Sequence, residues 1–490
     1  MASTPPPLPV ENGHVSEKSD ITPDSKGDAI ESTSINEKAL MRKIDSRLLP
    51  AVTLLYLCSF LDRSNVGNAR LEGLLTDLHM TGNQYLTSLT LFFIGYVLFE
   101  VPCNIVLKRT SPRFWLPTMT LVWGTVCTLM GVSQSRIGFL IVRFFLGVAE
   151  SGFFAGVVFY LSMWYKRDEV HFRVALFFSA ASLAGAFGGI LAWGIAHMRG
   201  VGGYAGWRWI FILEGLLTVL VGAGAYLFIF NYPDTAGILT RDERIFIQHR
   251  LQEDNDSVRD EAFNWTNVSK AIKDPKIWLY GFSFHTVALP LYTLTLFLPT
   301  IIRELGYTAA EAQLLTVPPY AFAFVLTLTI AYLSERSQIR APFIIGCSSF
   351  AIIGYIILLT DHRPGVSYVG VFFAAGGIYP SVALVFSWPS NNVSGQTKRA
   401  VATAMMNSIG TSGAILGTQL YRAETAPSFY LGHLFAMCYL VLNVSLTAIL
   451  WRVLNKANKR KESGIENHRL ESLSENEWLG DEDPRYRFRA

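Results

Sequence analysis

The chain has 490 residues, of which 51% are hydrophobic and 16% charged, with a formal net charge of +3 and a mean hydropathy of +0.31. A soluble domain carries about 25% charged residues, so this composition excludes an ordinary soluble protein and indicates an all-α integral membrane protein. The five cysteines lie in apolar segments without CxxC spacing, which argues against disulfides and metal sites.

Two sets of six apolar segments organise the chain. Residues 1–47 are predicted to be a cytosolic, largely disordered tail, because they are polar and proline-rich. We predict a first six-helix bundle over 48–231, a charged cytosolic linker over 232–275, a second six-helix bundle over 276–455, and a polar cytosolic tail over 456–490. The predicted spans, each long enough to cross a bilayer, are 48–69, 84–107, 114–132, 137–163, 173–197, 208–231, 276–302, 312–333, 342–360, 366–388, 399–421 and 430–454.

The two halves resemble each other weakly. The turn LKRTSPRFW after the second span has a counterpart, LSERSQIRAPF, after the eighth, and the fifth and eleventh spans both carry small-xxx-small glycine pairs. Parallel duplication of a six-helix half is a recurring transporter architecture. We therefore predict a twelve-helix fold of two bundles related by a pseudo-two-fold axis.

Basic residues predict the orientation. Arg42, Lys43 and Arg47 precede the first span, and the run NKANKRK follows the last one. Because lysine and arginine accumulate on the cytosolic side, both termini are expected in the cytosol. We further expect a multi-pass monomer in the plasma membrane.

Few ionisable groups lie within the predicted spans, and charges there are expensive, at about 2.5–3.5 kcal/mol each at mid-membrane. Such groups are therefore functional candidates. They are Asp62 and Arg63 in the first span, Glu100 in the second, Arg143 and Glu150 in the fourth, Glu214 in the sixth and His285 in the seventh.

The spacing of these residues along a helix indicates which of them can interact. Asp62 and Arg63 are neighbours, so their side chains point about 100° apart on a helix and do not neutralise each other. Arg143 and Glu150 are seven residues apart and share one face at about 10.5 Å along the axis. That gap suits a substrate, or a partner from the first span, between an arginine and an acid.

The charge types indicate a proton-coupled anion carrier. The arginine fork binds carboxylates in bidentate fashion, so Arg63 and Arg143 are candidates for holding an anionic substrate. Burial favours the neutral form of a carboxyl group, so Asp62 or Glu150 can load and release a proton. The alternative is a buried charge pair that fixes the packing of the first and fourth spans.

Further residues are assigned by position. Asn65, Tyr292 and Asn407 are predicted to contact substrate, and Tyr379 and Trp388 are candidates for lining a cavity that takes a flat ring.

Three other ionisable residues receive structural roles. Glu100 is expected to pair with loop arginines at the cytosolic end, where it would secure a gate. Glu214 is expected to pair locally, and His285 to be a packed core residue.

Several function classes lack sequence support. No GxxxxGK[ST], GxSxG or HExxH motif occurs, which argues against ATP-driven transport and membrane hydrolysis. We therefore expect no enzyme activity, cofactor, metal or nucleic-acid partner. The expected partners are a small organic anion, protons and the lipid bilayer.

Four stretches resemble the anion:cation symporter branch of the major facilitator superfamily, and within it the fungal allantoate and nicotinate permease group. They are FLDRSNVGNA, QYLTSLTLFFIGYVLFEVPCNIVLKR, RFFLGVAESGFFAG and GWRWIFILEG. The resemblance covers about residues 40–455, and the tail sequence LGDEDPRYRF is similar to the ending of nicotinate-permease-like proteins. The turn LKRTSPRF departs from the superfamily pattern because it lacks the usual Asp, which bears on the inner gate.

The resemblance implies uptake of a small carboxylate, such as nicotinate, allantoate, ureidosuccinate, pantothenate or a sugar acid, by alternating access. It also implies that Asp62, Arg63, Arg143 and Glu150 form the substrate and proton site. Two alternatives remain open: an exporter of a secondary metabolite or drug on the same fold, and a non-transporting nutrient sensor.

Overall fold

A computed structural model describes residues 35–253, 265–361, 363–389, 392–464 and 480–489, and this part of the chain folds into α-helices without strands. The helices are α1 (Glu37–Leu71), α2 (Leu74–Asp77), α3 (Gly82–Arg109), α4 (Pro112–Gly131), α5 (Arg136–Glu150), α6 (Phe153–Ser162), α7 (Arg167–Ala196), α8 (Gly206–Phe228), α9 (Arg241–Glu253), α10 (Trp265–Lys273), α11 (Pro275–Glu304), α12 (Ala309–Leu315), α13 (Val317–Ser337), α14 (Ala341–Thr360), α15 (Pro364–Ser387), α16 (Gln396–Gly417) and α17 (Tyr430–Glu462).

The predicted all-α membrane fold is confirmed. Within the described ranges, 11 helical segments are long and apolar enough to cross a bilayer. The predicted fourth span consists of α5 and α6, and the eighth of α12 and α13. The predicted span 399–421 corresponds to α16, which is not among these 11 segments because its Asn, Ser, Thr and Gly residues interrupt the apolar stretch.

The ends of two helices differ from the sequence boundaries. Helix α1 begins at Glu37, inside the predicted tail, because the Asn36 side chain accepts a hydrogen bond from the Ala39 backbone N–H at 3.2 Å and caps it. Helix α17 continues to Glu462. The predictions for residues 1–34, 254–264 and 465–479 lie outside the described residues.

Two bundles make up the membrane part, α1–α8 and α11–α17. We call the end at which α1 begins and α17 ends the terminal face, and the opposite end the distal face. In the first bundle α4 packs on α8, α3 on α5 and α1 on α7. In the second bundle α14 packs on α15 and α17, and α11 packs on α16.

The interface between the bundles repeats one pairing. Helix α3 packs on α16 and α7 packs on α13, so the second span meets the eleventh and the fifth meets the eighth. The second and eighth spans are equivalent positions of the two halves, as are the fifth and eleventh. A two-fold axis between duplicated halves therefore relates one of these contacts to the other. Towards the distal face, Gln313 donates to Glu72 at 3.1 Å and the hydroxyls of Thr90 and Thr418 lie 2.7 Å apart.

Two glycines position α5. Gly152 has φ +74° and ends the helix just after Glu150, and a Cβ there would lie 2.7 Å from the Cβ of Cys103. A Cβ at Gly147 would lie 2.0 Å from the Phe92 carbonyl oxygen. Backbones of α3 and α5 can therefore approach closely, which brings the polar residues of α5 beside Phe92.

Candidate functional site

The side chain of Arg63 lies at the interface between the bundles. Its Nη2 donates to Glu150 Oε1 at 2.8 Å and its Nη1 donates to the Tyr292 hydroxyl at 3.0 Å. Arg63 and Glu150 are 3% and 1% exposed, so the ion pair is shielded from water. The Ser59 hydroxyl also donates to Glu150. Arg63 thus connects α5 of the first bundle with α11 of the second.

Aromatic rings surround the Arg63 guanidinium. Its Cζ lies 5.1–5.9 Å from four ring centroids, those of Phe60, Phe92, Tyr96 and Tyr292. Such contacts with the ring faces stabilise a cation that has been removed from water. The ring of Phe93 packs edge-on against Tyr292 at 4.8 Å. The result is a cation inside an aromatic cage formed by both bundles.

Arg143 is the second buried cation. It is 1% exposed, and its Nε and Nη1 have no hydrogen-bond partner. Within the described ranges it forms no ion pair, and its Cζ lies 5.5 Å from the Phe92 centroid. Because Arg63 approaches the same ring at 5.4 Å, Phe92 is shared by the two guanidinium groups. Glu150 also keeps an oxygen, Oε2, without a partner.

Asp62 points into the first bundle, away from the Arg63 cage, as the adjacent positions on α1 predict. Its Oδ2 accepts from the Thr218 hydroxyl at 2.9 Å, and its Oδ1 accepts from the Cys127 thiol at 3.3 Å. These donors are neutral, and α4 and α8 supply them. Asp62 is therefore a buried acid held by hydrogen bonds alone among the contacts that the structure describes.

Asn65 lies with Asp62 rather than with Arg63. Its amide nitrogen lies 2.5 Å from Glu214 Oε2 on α8. A separation of two residues places Asn65 roughly 200° from Arg63 around the helix. The structure therefore places this predicted substrate contact inside the first bundle. Glu214, which was expected to pair locally, bonds Asn65 on α1, 149 positions away in the sequence.

Asn407 and Glu100 meet across the interface. The Glu100 carboxylate accepts hydrogen bonds from the Asn407 amide and, at 3.0 Å, from the Ser408 hydroxyl. The expected arginine partners of Glu100 are thus replaced by two neutral groups on α16. This contact joins α3 to α16 on the terminal side of the Arg63 cage.

The other predicted aromatic and histidine residues lie in the second bundle. Tyr379 is fully buried and its hydroxyl lies 3.0 Å from the Thr295 hydroxyl. Trp388 lies at the terminal face, where its indole N–H donates to the Arg489 carbonyl at 2.8 Å. The His285 Nδ1 lies 2.9 Å from the Ile409 carbonyl oxygen, as in a packed core residue.

Sequence reasoning missed Phe92 and Tyr96. The signal was present, because Phe92, Tyr96 and Glu100 follow one another at intervals of four residues and therefore share one face of α3. Their place among many other aromatic residues concealed the pattern.

Two helical bundles with buried charges near their interface are an arrangement that membrane transporters share. Residues 52–418 match the model of the Major Facilitator Superfamily, and the chain belongs to this family. Its members and relatives are transporters rather than enzymes, as the sequence predicts.

Relatives span nearly the whole chain. "MFS-type transporter cnsO" of Penicillium expansum is 37% identical over 470 residues, which are 92% of this chain and 90% of the relative. The "High-affinity nicotinic acid transporter" of Saccharomyces cerevisiae is 31% identical over 455 residues, 92% of this chain and 85% of that protein. The predicted similarity to fungal nicotinate permease-like transporters is confirmed.

Solved structures share the fold. The proton:xylose symporter XylE superposes with a TM-score of 0.60 at 15% identity, covering 83% of this chain and 96% of XylE. A bacterial homologue of the lysosomal transporter Spinster, in an inward-facing and occupied conformation, gives a TM-score of 0.62 at 17% identity, covering 83% of this chain and 97% of that one.

Proposed function

We propose that this transporter takes up a small organic carboxylate, of the nicotinate or allantoate type, together with protons by alternating access. The observation that carries the proposal is Arg143, a buried guanidinium with free N–H groups and no ion pair among the described residues. An uncompensated charge removed from water costs several kcal/mol. An anion supplied from outside the protein would remove that cost.

The aromatic cage favours an anion attached to a flat or compact body. Phe92 separates the two guanidinium groups, while Tyr96 and Tyr292 flank Arg63. A carboxylate can bind either arginine in bidentate fashion while an attached ring packs on the aromatic side chains. A nicotinic acid transporter among the relatives supports starting with this substrate class.

Charge balance supports coupling to protons. Counted over Asp62, Arg63, Arg143 and Glu150 alone, two ionised acids balance two buried arginines. A carboxylate substrate then adds one negative charge, and one proton on either acid cancels it. Because Glu150 is bonded to Arg63, a substrate that competes for Arg63 would release Glu150 to take up the proton.

The orientation and location belong to the same proposal. Basic residues before the first span and after the last one support a cytosolic terminal face. We place the transporter in the plasma membrane as a monomer, with uptake as the direction of net transport.

The test is radiolabelled uptake in fungal cells that lack their own carboxylate carriers, with nicotinate, allantoate and pantothenate as the first substrates. We expect saturable uptake that is faster at acidic external pH. Arg63→Gln and Arg143→Gln should each abolish it while the protein still reaches the membrane. Arg422→Gln, at an exposed position of the loop before α17, is the matched control. Normal uptake by both site variants would refute the anion site.

Proton coupling has a separate test. Glu150→Gln should still exchange labelled for unlabelled substrate but should no longer accumulate it, and a protonophore should have no further effect. If the variant retains the protonophore response of the wild type, Glu150 does not carry the coupled proton. Release of preloaded substrate without uptake would indicate an exporter, and binding without either would indicate a sensor.

A further inference from the structure

Residues 480–489, which we call the tail segment, pack against the terminal face of the second bundle. Buried and exposed residues nearly alternate along it: Asp481, Asp483, Pro484, Tyr486 and Phe488 are buried, and Glu482, Arg485 and Arg487 are exposed. One face of the segment therefore contacts the bundle, and the other faces outward. None of these residues belongs to the site around Arg63.

The acidic end of the tail segment joins the beginnings of two helices. Asp481 accepts from Lys276, in the first turn of α11, at 2.9 Å and from Lys398, in the first turn of α16, at 2.7 Å. Lys398 also donates to Asp274 at 2.9 Å. Burial opposes ionisation of Asp481, but the two ammonium groups hold its pKa below the usual value, so the carboxylate stays charged.

A third lysine binds the backbone of the tail segment. Lys461, near the end of α17, is 6% exposed and donates to the carbonyl oxygens of Asp481, Asp483 and Tyr486 at 2.7, 3.1 and 3.3 Å. Its Nζ lies 4.5 Å from the Phe488 ring centroid. One ammonium group thus fixes the path of the segment through several residues.

The side-chain amides of two asparagines form paired hydrogen bonds with the backbone near the end of the segment, as a neighbouring β-strand would. Asn458 donates to the Phe488 carbonyl at 2.8 Å and accepts from the Phe488 N–H at 2.9 Å. Asn392 makes the same pair with Arg489, at 2.9 and 2.7 Å. Proteins commonly recognise extended peptides through hydrogen bonds to the peptide backbone and through pockets for alternate side chains.

We propose that the terminal face of the second bundle is a peptide-binding site, that its ligand is the tail segment of this same chain, and that occupancy holds the ends of α11, α16 and α17 together. Without the segment, Lys276 and Lys398 would lose the Asp481 carboxylate and share Asp274, and Lys461 would lose three carbonyl acceptors. The remaining ammonium groups would repel one another across a partly dry surface.

Occupancy also bears on the site between the bundles. Helix α11 carries Tyr292 and α16 carries Asn407, and both helices have their terminal ends held by Asp481. A slower transport cycle after loss of the segment rests on the proposed function. The effect of the segment on stability does not depend on that function. The stability proposal and the transport proposal can therefore fail separately.

The experiment compares the full chain with a chain truncated after Leu479, both purified in detergent. We expect the truncated protein to unfold at a lower temperature, and a synthetic peptide of residues 480–490 to restore the higher temperature in a saturable manner. A peptide carrying Asp481→Asn should bind at least about tenfold more weakly, because it lacks the carboxylate that two lysines share. A peptide carrying Glu482→Gln, altered at an exposed position, should bind like the original.

Full-length variants cover the case in which truncation prevents folding. Asp481→Asn and Lys461→Met should each lower the unfolding temperature, whereas Glu482→Gln should not. Three results would each overturn the proposal: equal unfolding temperatures for the full and truncated chains, equal affinity of the original peptide and the peptide carrying Asp481→Asn, or equal effects of the Asp481 and Glu482 substitutions in the full chain.

Discussion

The two bundles share an architecture but differ in what they bury. In the first, Arg63, Arg143 and Glu150 lie inside the membrane part, and Asp62 accepts hydrogen bonds from neutral donors. In the second, the buried polar residue Asn443 donates to Thr286 at 3.0 Å and accepts from Ser348 at 3.0 Å, all neutral groups. A duplicated scaffold has thus been divided between a charged half and a neutral half. The charges of the second bundle described above gather at its terminal face.

The largest effect is expected from breaking the charged half. Arg63→Leu leaves Glu150 buried without its cation, which should lower the free energy of unfolding by about 3–5 kcal/mol. The double variant Arg63→Leu/Glu150→Leu should regain most of this loss, since neither charge of the Arg63–Glu150 pair remains. Thermal unfolding in detergent measures both, and neither should transport. A double variant as unstable as the single one would contradict charge compensation.

A steric change in the first bundle should come next. Gly147→Ala places a methyl group against the Phe92 carbonyl oxygen and should cost about 1–3 kcal/mol by forcing α3 and α5 apart. Gly346→Ala, in α14 of the second bundle, has no neighbouring atom within 4 Å of the new Cβ. This control should be neutral or stabilising because alanine favours helices. Equal losses in both would show that close packing at Gly147 is not the cause.

The neutral half should be less sensitive to loss of its central residue. Asn443→Ala removes hydrogen bonds to α11 and α14 and should cost about 1–2 kcal/mol through unsatisfied buried groups. Ser445→Ala, at an exposed position of the same helix, should change stability little. Uptake by Asn443→Ala should keep its affinity for substrate, and a changed affinity would show that Asn443 contacts or positions the substrate.

The smallest effect is expected for Glu243, whose charge is partly exposed. Burial opposes ionisation of Glu243, but hydrogen bonds from Lys43 and the Thr240 backbone lower its pKa below 4.5. Glu243→Gln should therefore cost at most about 1 kcal/mol. The difference from the wild type should be complete above pH 4.5 and disappear as the pH falls through the lowered pKa. Unfolding curves between neutral and acidic pH check this, and a difference that grows in acid would contradict it.

Much of the fold could be predicted because bilayer thickness fixes the length of apolar runs, as α4 and α14 illustrate. The divergence of Asp62 and Arg63 also followed from helix geometry. A pairing of Arg63 with Glu150 was among the alternatives that the spacing left open. The contact of Arg63 with Tyr292 could not be predicted, because it joins residues 229 positions apart. Asn65 shows the opposite case, since its position relative to Arg63 on α1 already excluded a shared direction.

The tail segment shows why the structure of polar chain termini is hard to predict from sequence. Its composition resembles that of a disordered tail, and only the fold brings Lys276, Lys398 and Lys461 near Asp481. The alternation of aromatic and basic residues from Tyr486 to Phe488 was the available signal in the sequence.

The distal contacts between the bundles have a consequence for rate. Gln313 with Glu72 and Thr90 with Thr418 each include an uncharged partner. Water can replace such hydrogen bonds at little net cost. In the proposed alternating-access cycle, separation of the bundles at the distal face should therefore depend only weakly on ionic strength, and the rate of conformational exchange should be similar at low and at high salt concentration.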